Sequence, residues 1–298
     1  MLPDYIKLYI RNRLFYPLIS RLPVRLSYMF ATLKGVLDSK LHSKRVAAAI
    51  TGIQSAFPEM SYQQASLAIR SQMRMLARER LDVYWLNRLN AKNCSKFIEL
   101  DGLENLESAI ADTRPVILYS AHFSRLIMPS MALGVSGIQT SCLTADISNP
   151  EIPPEERRYL ARKLNDMGRL MGGDVIQKSD SLRRLYKVLK AKGILIVILD
   201  APPAVGDSTE RFALLGGEAR LSTGVIKLAK RMDAILVPYF AVEEKDGLKG
   251  YFLEPFSIQG ESDERALARV FEPIEQFIRE RPDQWWMWSA LPAIWQKH

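Results

Sequence analysis

Residues 115–126 read PVILYSAHFSRL, an apolar and partly β-branched run that ends in a histidine. Runs of this length and composition predict buried β-strands. Similar runs follow along the chain, and stretches with helical periodicity separate them. The predicted strands are 115–121, 137–145, 193–200 and 234–242, and the predicted helices are 155–170, 181–192 and 223–232. Strands that alternate with helices predict an α/β fold with a mostly parallel central sheet flanked by helices.

Two residues that can move protons follow predicted strands. His122 comes directly after the first strand, and Asp200 ends the strand at 193–200. Ligands of open α/β sheets gather at the carboxyl ends of the strands. A histidine there, beside Ser124 and Arg125, is well placed to act as a general base, although a histidine satisfied by the backbone of a turn fits the same position. The other histidines, His42 and His298, lie in a polar stretch and at the terminus, where we expect them to be solvated.

The N-terminal region has a different pattern. Within residues 1–40, apolar side chains recur at helical spacing with arginines between them. Pro17 and Pro23 predict two short helices instead of one. We interpret this as an amphipathic segment that lies in a membrane interface; a helical lid packed on the core is the alternative. Ser61 and Gln64 fit a capping box that opens a helix through residue 89. We therefore divide the chain into a helical region, 1–95, and an α/β domain, 96–298.

Composition limits the classes of partner. The chain has 298 residues, 48% of them hydrophobic and 25% charged, and a formal net charge of +8. That charge favours anionic partners such as a phospholipid surface. The basic residues are dispersed without zinc-finger spacing, so we expect no nucleic-acid binding. Cys94 and Cys142 have no metal-binding spacing, and we expect no metal. No apolar run reaches the roughly 18 residues that a membrane-spanning helix needs. A serine hydrolase is disfavoured because no GxSxG motif occurs.

The sequence resembles the bacterial lipid A biosynthesis (late) acyltransferases, a family within the lysophospholipid acyltransferase-like superfamily. The resemblance rests on six blocks in the same order: AAAITGIQSAFPEMS (47–61), PVILYSAHFSRL (115–126), RLMGGDVI (169–176), LRRLYKVLKAKGILIVILDAPP (182–203), LLGGEARLSTGVIKLAKRMDAILVPYF (214–240) and RPDQWWMWSALPAIW (281–295). It implies acyl transfer from a thioester on acyl carrier protein or coenzyme A to a lipid or glycolipid such as lipid A, at the cytoplasmic face of the inner membrane, without a bound cofactor.

The family's motif is a histidine, four residues, and then Asp or Glu. Here the acidic position falls on Ile127, and no carboxylate occurs between His122 and Asp146. Three explanations stay open. A carboxylate from elsewhere replaces the missing one, with Asp200, Asp207 and Glu210 as candidates. His122 acts alone with a different donor, such as an aminoacyl thioester. Alternatively, the protein is a catalytically weakened, non-enzymatic membrane-binding member of the fold.

The predicted site residues follow from these blocks. Alongside His122, we expect Asp200 and Glu210 as catalytic residues. Arg125 is expected to clamp a phosphate or stabilise an oxyanion, with a plain surface arginine as the alternative. The predicted substrate-binding residues are Ser124, Arg125, Arg220, Ser222 and Thr223, of which Ser222 or Thr223 also fits a helix cap. The acceptor is a hydroxyl or an amine of a lipid or glycolipid, or alternatively a soluble natural product.

Overall fold

The central sheet is built from seven strands, in a computed structural model that describes residues 3–297. Its strands are β1 Glu99–Asp101, β2 Val116–Ser120, β3 Thr140–Thr144, β4 Gly172–Gln177, β5 Ile194–Ile198, β8 Ile235–Glu244 and β9 Gly247–Phe252. The spatial order is β1-β9-β8-β2-β5-β3-β4. The pairing of β8 with β9 is antiparallel and the other pairings are parallel. The predicted α/β class with a mostly parallel sheet is confirmed.

A second, smaller sheet has three antiparallel strands, β6 Thr209–Leu214, β7 Gly217–Ser222 and β10 Trp295–Lys297, in the order β10-β7-β6. Helices surround both sheets in the described residues. They are α1 Asp4–Tyr9, α2 Tyr16–Ile19, α3 Val24–Leu41, α4 Ser43–Ala56, α5 Tyr62–Asp82, α6 Leu103–Ala111, α7 Met128–Val135, α8 Pro154–Met171, α9 Leu182–Lys190, α10 Gly224–Met232 and α11 Asp263–Glu280.

The central strands are buried on both faces. Because side chains alternate along a strand, Ile117 and Tyr119 of β2 enter one apolar cluster, and Val116 and Leu118 enter the other. A parallel sheet covered on both faces needs largely apolar strands, which is why β5 (ILIVI) and most of β2 and β8 are apolar. The two clusters hold β2 rigidly, so the residue that follows its end has a fixed position.

The helix before the sheet begins as predicted. The Ser61 hydroxyl accepts a hydrogen bond from the Gln64 amide at 3.2 Å, and the Gln64 side chain accepts one from the Ser61 amide at 2.8 Å. The helix ends earlier than predicted, at Asp82, and turns follow. The predicted boundary near residue 95 stays a prediction, although the first strand begins only at Glu99.

The N-terminal segment forms two helical stretches, as predicted from its prolines. The first runs through α1, a π-helical turn at Ile10–Phe15, and α2; the second is α3. Pro17 lies where the π-helical turn passes into α2, without a break in the stretch, and the break falls at Pro23, directly before α3. His298 and the first two residues lie outside the described part of the chain.

The α3 helix exposes its large apolar side chains. Small residues, Ser27, Ala31 and Gly35, form its buried face. A Cβ atom on Gly35 would lie 2.5 Å from the carbonyl oxygen of Met73, so α3 and α5 pack with their backbones close together. The exposed apolar side chains of α3 are Leu26, Met29, Phe30, Leu33, Leu37 and Leu41. Across residues 3–297, no helix is both long enough and apolar enough to span a bilayer.

Candidate active site

His122 and Asp200 occupy matching positions on neighbouring strands. Strands β2 and β5 pair in parallel, with Ser120 opposite Ile198. Each residue of interest lies two positions beyond that pair, so both are at the same edge of the sheet. The strand register therefore brings together two residues that are 78 positions apart in the sequence.

The two side chains form a hydrogen-bonded pair. His122 Nδ1 lies 2.7 Å from Asp200 Oδ1. The backbone amide of His122 also donates to both carboxylate oxygens, at 3.0 Å and 2.9 Å. A carboxylate can only accept here, so Nδ1 carries the proton and Nε2 has the free lone pair. Asp200 is 1% exposed, whereas the imidazole is 31% exposed, so the imidazole reaches solvent while its partner is buried.

The surroundings of His122 act on its pKa in opposite directions. Burial lowers the pKa of the imidazole, while the charge of Asp200 and the hydrogen bond to it raise the pKa. The balance is a pKa above the ordinary value of 6.5. A carboxylate that stabilises the imidazolium form suits a base that must hold a proton during a reaction.

The other candidate carboxylates lie elsewhere. Asp207 pairs with Lys178 at 2.8 Å. Glu210 is exposed on β6, in the smaller sheet, and accepts a hydrogen bond from the Arg211 amide at 3.4 Å. Within residues 3–297, neither carboxylate has a hydrogen bond or an ion pair with His122. The prediction of Glu210 as a partner of His122 does not fit this geometry, because β6 belongs to the smaller sheet and not to the central one.

Ile127, at the position of the missing acid, is 2% exposed and belongs to an apolar cluster. It immediately precedes α7. A carboxylate at this position would be surrounded by hydrocarbon. The carboxylate that contacts His122 belongs to Asp200, two residues after the end of β5.

Arg125 is a buried structural residue. Its Nε and Nη2 donate to the two oxygens of Asp82, both at 2.6 Å. Nη2 also donates to the Tyr28 hydroxyl, and Nη1 lies 3.6 Å from Glu243. The residue is 5% exposed. This placement argues against the predicted phosphate clamp, because the guanidinium already ties the loop after His122 to α5 and α3.

Ser124 is fully buried and has a φ of 48°, in the left-handed region that a serine rarely adopts. Its amide donates to the Gln284 carbonyl at 2.7 Å, and its carbonyl accepts from Trp286 Nε1 at 2.8 Å. Its hydroxyl has no hydrogen-bond partner among the described residues. A direct contact with substrate, as predicted, does not fit such burial; the residue instead shapes the turn that carries His122.

The remaining predicted binding residues lie at the start of α10 and on β7. Arg220 is exposed and donates to the Thr209 hydroxyl at 2.9 Å. Thr223 is buried and its hydroxyl bonds the Ser208 carbonyl at 3.2 Å. The Ser222 hydroxyl accepts a long hydrogen bond, 3.4 Å, from the amide of the first residue of α10. Substrate binding by these three residues stays a prediction.

The sequence did not reveal the role of the C-terminal tryptophans. Trp285 Nε1 donates to Asp200 Oδ2 at 2.7 Å, and the Trp286 ring lies 5.6 Å from the imidazole ring of His122. The aromatic run at 285–288 was the available signal, but it is equally typical of core packing. Within residues 3–297, no cluster of His, Cys, Asp or Glu is suited to hold a metal ion.

A histidine base held by a buried carboxylate, at the carboxyl edge of a parallel sheet, is typical of α/β enzymes that activate an acceptor group. The family model for bacterial lipid A biosynthesis acyltransferase matches residues 5–291. The chain belongs to this family, and the resemblance seen in the sequence is confirmed.

Among solved structures, the chain is similar to the 1-acyl-sn-glycerophosphate (LPA) acyltransferase PlsC from Thermotoga maritima. The two share 14% identity over 86% of this chain and 96% of that chain, with a TM-score of 0.36, a likeness too distant to bear on the site. A sequence comparison with characterised proteins gives no significant match.

Proposed function

We propose that the protein transfers an acyl group from a thioester donor to a lipid or glycolipid acceptor at a membrane surface, with His122 as the general base. The observation that carries this proposal is the 2.7 Å contact between His122 Nδ1 and the buried Asp200 carboxylate. Asp200 fills the role that the acid of the family motif would have. The donor is acyl carrier protein or a coenzyme A thioester, and the acceptor group is a hydroxyl or an amine.

The reaction needs one base and one proton. His122 Nε2 takes the proton from the acceptor O–H or N–H as the acceptor oxygen or nitrogen attacks the thioester carbonyl carbon. Asp200 stabilises the imidazolium that results. The tetrahedral oxyanion then collapses, the C–S bond breaks, and the thiolate takes the proton from the imidazolium. The products are an ester or an amide and a free thiol, and His122 is again neutral.

The N-terminal helices support the membrane part of the proposal. Large apolar side chains on α1 to α3 are exposed, among them Leu18 at 64%, Leu33 at 56% and Leu41 at 66%. An apolar surface of this extent marks a membrane or protein interface. On α3 the large side chains face outward while the small ones face α5, which is the reverse of a helix that covers a core in water. Arg21, just before α3, and Arg25, in its first turn, are exposed and suit anionic lipid headgroups on the cytoplasmic face of the inner membrane.

The catalytic part is tested in cells. Total lipids and lipopolysaccharide from a deletion strain, complemented with wild type, His122→Ala or His42→Ala, are compared by mass spectrometry. His42 is a matched control because its side chain is 56% exposed and lies 3.9 Å from Asp38 of α3, not in the site. We expect a mass shift restored by wild type and His42→Ala only. Restoration by His122→Ala would contradict the base, and no shift in any lipid would indicate a soluble acceptor or a non-catalytic protein. The size of the shift separates a fatty acyl group from an aminoacyl group.

The membrane part has its own test. Flotation with anionic phospholipid vesicles compares wild type with Leu33→Glu on α3 and with Leu182→Glu on α9, whose leucine is 67% exposed on another surface. We expect Leu33→Glu alone to weaken flotation, since burying a charged group in the acyl boundary is unfavourable. Equal flotation of both variants would contradict the assignment of this face.

A further inference from the structure

The segment that follows α11 crosses the turn that carries His122. Phe123 pairs with Trp285 in an antiparallel bridge. The Trp286 amide donates to the His122 carbonyl at 2.9 Å, and the Ser124 amide donates to the Gln284 carbonyl at 2.7 Å. These bonds hold the backbone on both sides of the bridge, so the C-terminal segment has a fixed position relative to the histidine.

Trp285 is locked in this segment. It is 1% exposed, and its indole packs edge-to-face on Trp288 with ring centroids 4.6 Å apart. Its backbone carbonyl accepts a hydrogen bond from the buried Gln72 side chain of α5. Neither the backbone nor the ring can turn without breaking these contacts, so the direction of the indole N–H is set in advance.

That N–H is aimed at the carboxylate of the catalytic pair. It donates to Asp200 Oδ2 at 2.7 Å, while His122 Nδ1 bonds Oδ1. Without the indole, the only side-chain donor to the carboxylate would be His122 itself, and Oδ2 would keep only its share of the His122 amide. The indole is therefore the one donor on Oδ2 that is independent of His122 among the described residues. A buried carboxylate with donors on both oxygens is both satisfied and oriented.

We propose that Trp285 is a positioning residue that fixes the Asp200 carboxylate by one oxygen, so that the other oxygen is presented to His122. The inference rests on the proposed function, in which His122 is the base. It also explains how His122 has an oriented carboxylate although the acid of the family motif is absent. Asp200 follows β5 instead of lying in the turn after β2, and Trp285 holds its carboxylate in place.

The main test does not need the substrate. The chain has three histidines, so the Nδ1–H proton of His122 can be assigned by its loss in His122→Ala. We expect a protected, hydrogen-bonded Nδ1–H signal in the wild type. In Trp285→Phe its exchange with water should accelerate about tenfold or more, because a loosened contact opens more often. An exchange rate within about twofold of the wild type would overturn the proposal.

Trp295→Phe is the matched control. Trp295 is also buried, and its Nε1 donates at 2.7 Å to the Leu214 carbonyl, not to the site. We expect it to leave the exchange rate of the His122 proton unchanged. Where Trp285→Phe fails to fold, Trp285→benzothienylalanine replaces the N–H with sulfur and keeps the shape of the ring, so the hydrogen bond is removed alone. Equal acceleration in the Trp295→Phe control would overturn the proposal.

A double-mutant cycle separates positioning from general packing. In the Asp200→Asn background, Trp285→Phe should change acyl transfer in the complemented strain by less than about twofold, whereas in the wild-type background it lowers transfer about tenfold to a hundredfold. If Trp285→Phe lowered acyl transfer by the same factor in both backgrounds, the two effects would be independent and the proposal would be overturned. If the proton exchange behaves as expected and no acylated product is found in any strain, the proposed function fails and the positioning role stands.

Discussion

Replacing Asp200 with asparagine keeps the volume of the side chain but removes its charge and one of its two acceptor oxygens. The carboxylate accepts from the His122 amide, from His122 Nδ1 and from Trp285 Nε1. An asparagine must turn its NH2 group toward one of these donors. Either the indole N–H loses its partner, or the imidazole is driven to the tautomer with its proton on Nε2, which is not a base.

The size of the effect follows from these contacts. A buried donor left without a partner destabilises a protein by about 1–3 kcal/mol. A base in the wrong tautomer lowers the rate roughly 100-fold to 10,000-fold. The pKa of His122 falls, because burial still lowers it while the charge and the hydrogen bond that raised it are gone.

The variant also changes how stability depends on pH. Because the pKa of His122 is raised in the folded protein, its protonation stabilises the fold. That contribution is fully present below the unfolded pKa, about 6.5, and is lost as the pH rises through the higher folded pKa. The free energy of unfolding of the wild type should therefore exceed that of Asp200→Asn by more at about pH 5 than at about pH 9.

Two assays check this reasoning. Histidine NMR follows the titration of His122, and urea unfolding at the two pH values follows stability. Lipid mass spectrometry of complemented cells follows transfer. A variant that keeps at least half of the wild-type product and an unchanged His122 titration would refute the role of Asp200. A stability gap that is the same at both pH values would refute the linkage to His122.

Three further substitutions test the surroundings of the site. Arg125→Met leaves Asp82 as an unpaired buried charge, so we expect a loss of about 3–5 kcal/mol in the free energy of unfolding. Ile127→Asp restores the motif but places a charge among apolar side chains; we expect a loss of about 3 kcal/mol or more and no gain in transfer, since Asp200 already occupies Nδ1. Gly52→Ala places a Cβ atom 2.1 Å from the carbonyl oxygen of Trp288, and we expect a loss of about 1–3 kcal/mol with reduced transfer.

Each substitution has a matched control measured by the same urea titration. Arg158→Met removes an arginine that is 63% exposed, and Ile110→Asp changes an isoleucine that is 42% exposed. Gly224→Ala meets its nearest neighbour at 3.6 Å. We expect the free energy of unfolding of Arg158→Met and Ile110→Asp to stay within about 0.5 kcal/mol of the wild type. Gly224→Ala can depart slightly further, because Gly224 is the first residue of α10 and alanine changes the helix propensity there. If a control lowered the free energy of unfolding as much as the buried substitution that it matches, burial would not be the cause of the loss.

The sequence predicted the strands that are apolar throughout, and the two residues at their ends. It missed β4, whose sequence GGDVIQ begins with two glycines and is short of apolar residues. It also missed the short edge strand β1 and its neighbour β9, which pairs antiparallel with β8. Strand propensity is a weak signal where only one face is covered.

The sequence predicted the site only in part, because the contacts within it depend on how the strands and helices pack. His122 and Asp200 could each be placed at the sheet edge, but strand order and register decide that they touch. Glu210 was an equal candidate until β6 proved to belong to another sheet. Arg125 was predicted to clamp a phosphate or stabilise an oxyanion, with a surface arginine as the alternative. Its buried pairing with Asp82, 43 positions away on a helix, fits neither. Such pairings depend on tertiary packing, which composition and spacing do not encode.

The site is assembled from three distant parts of the chain. His122 and Asp200 are 78 positions apart, and Asp200 and Trp285 are 85 apart. Contacts of such long range cost more loop-closure entropy than the contacts within local helices and hairpins. A chain whose last segment has frayed therefore keeps nearly all of its helices and strands but loses the donor that completes the site. Catalytic activity is thus a stricter measure of correct folding in this protein than circular dichroism, and it should disappear first on mild heating.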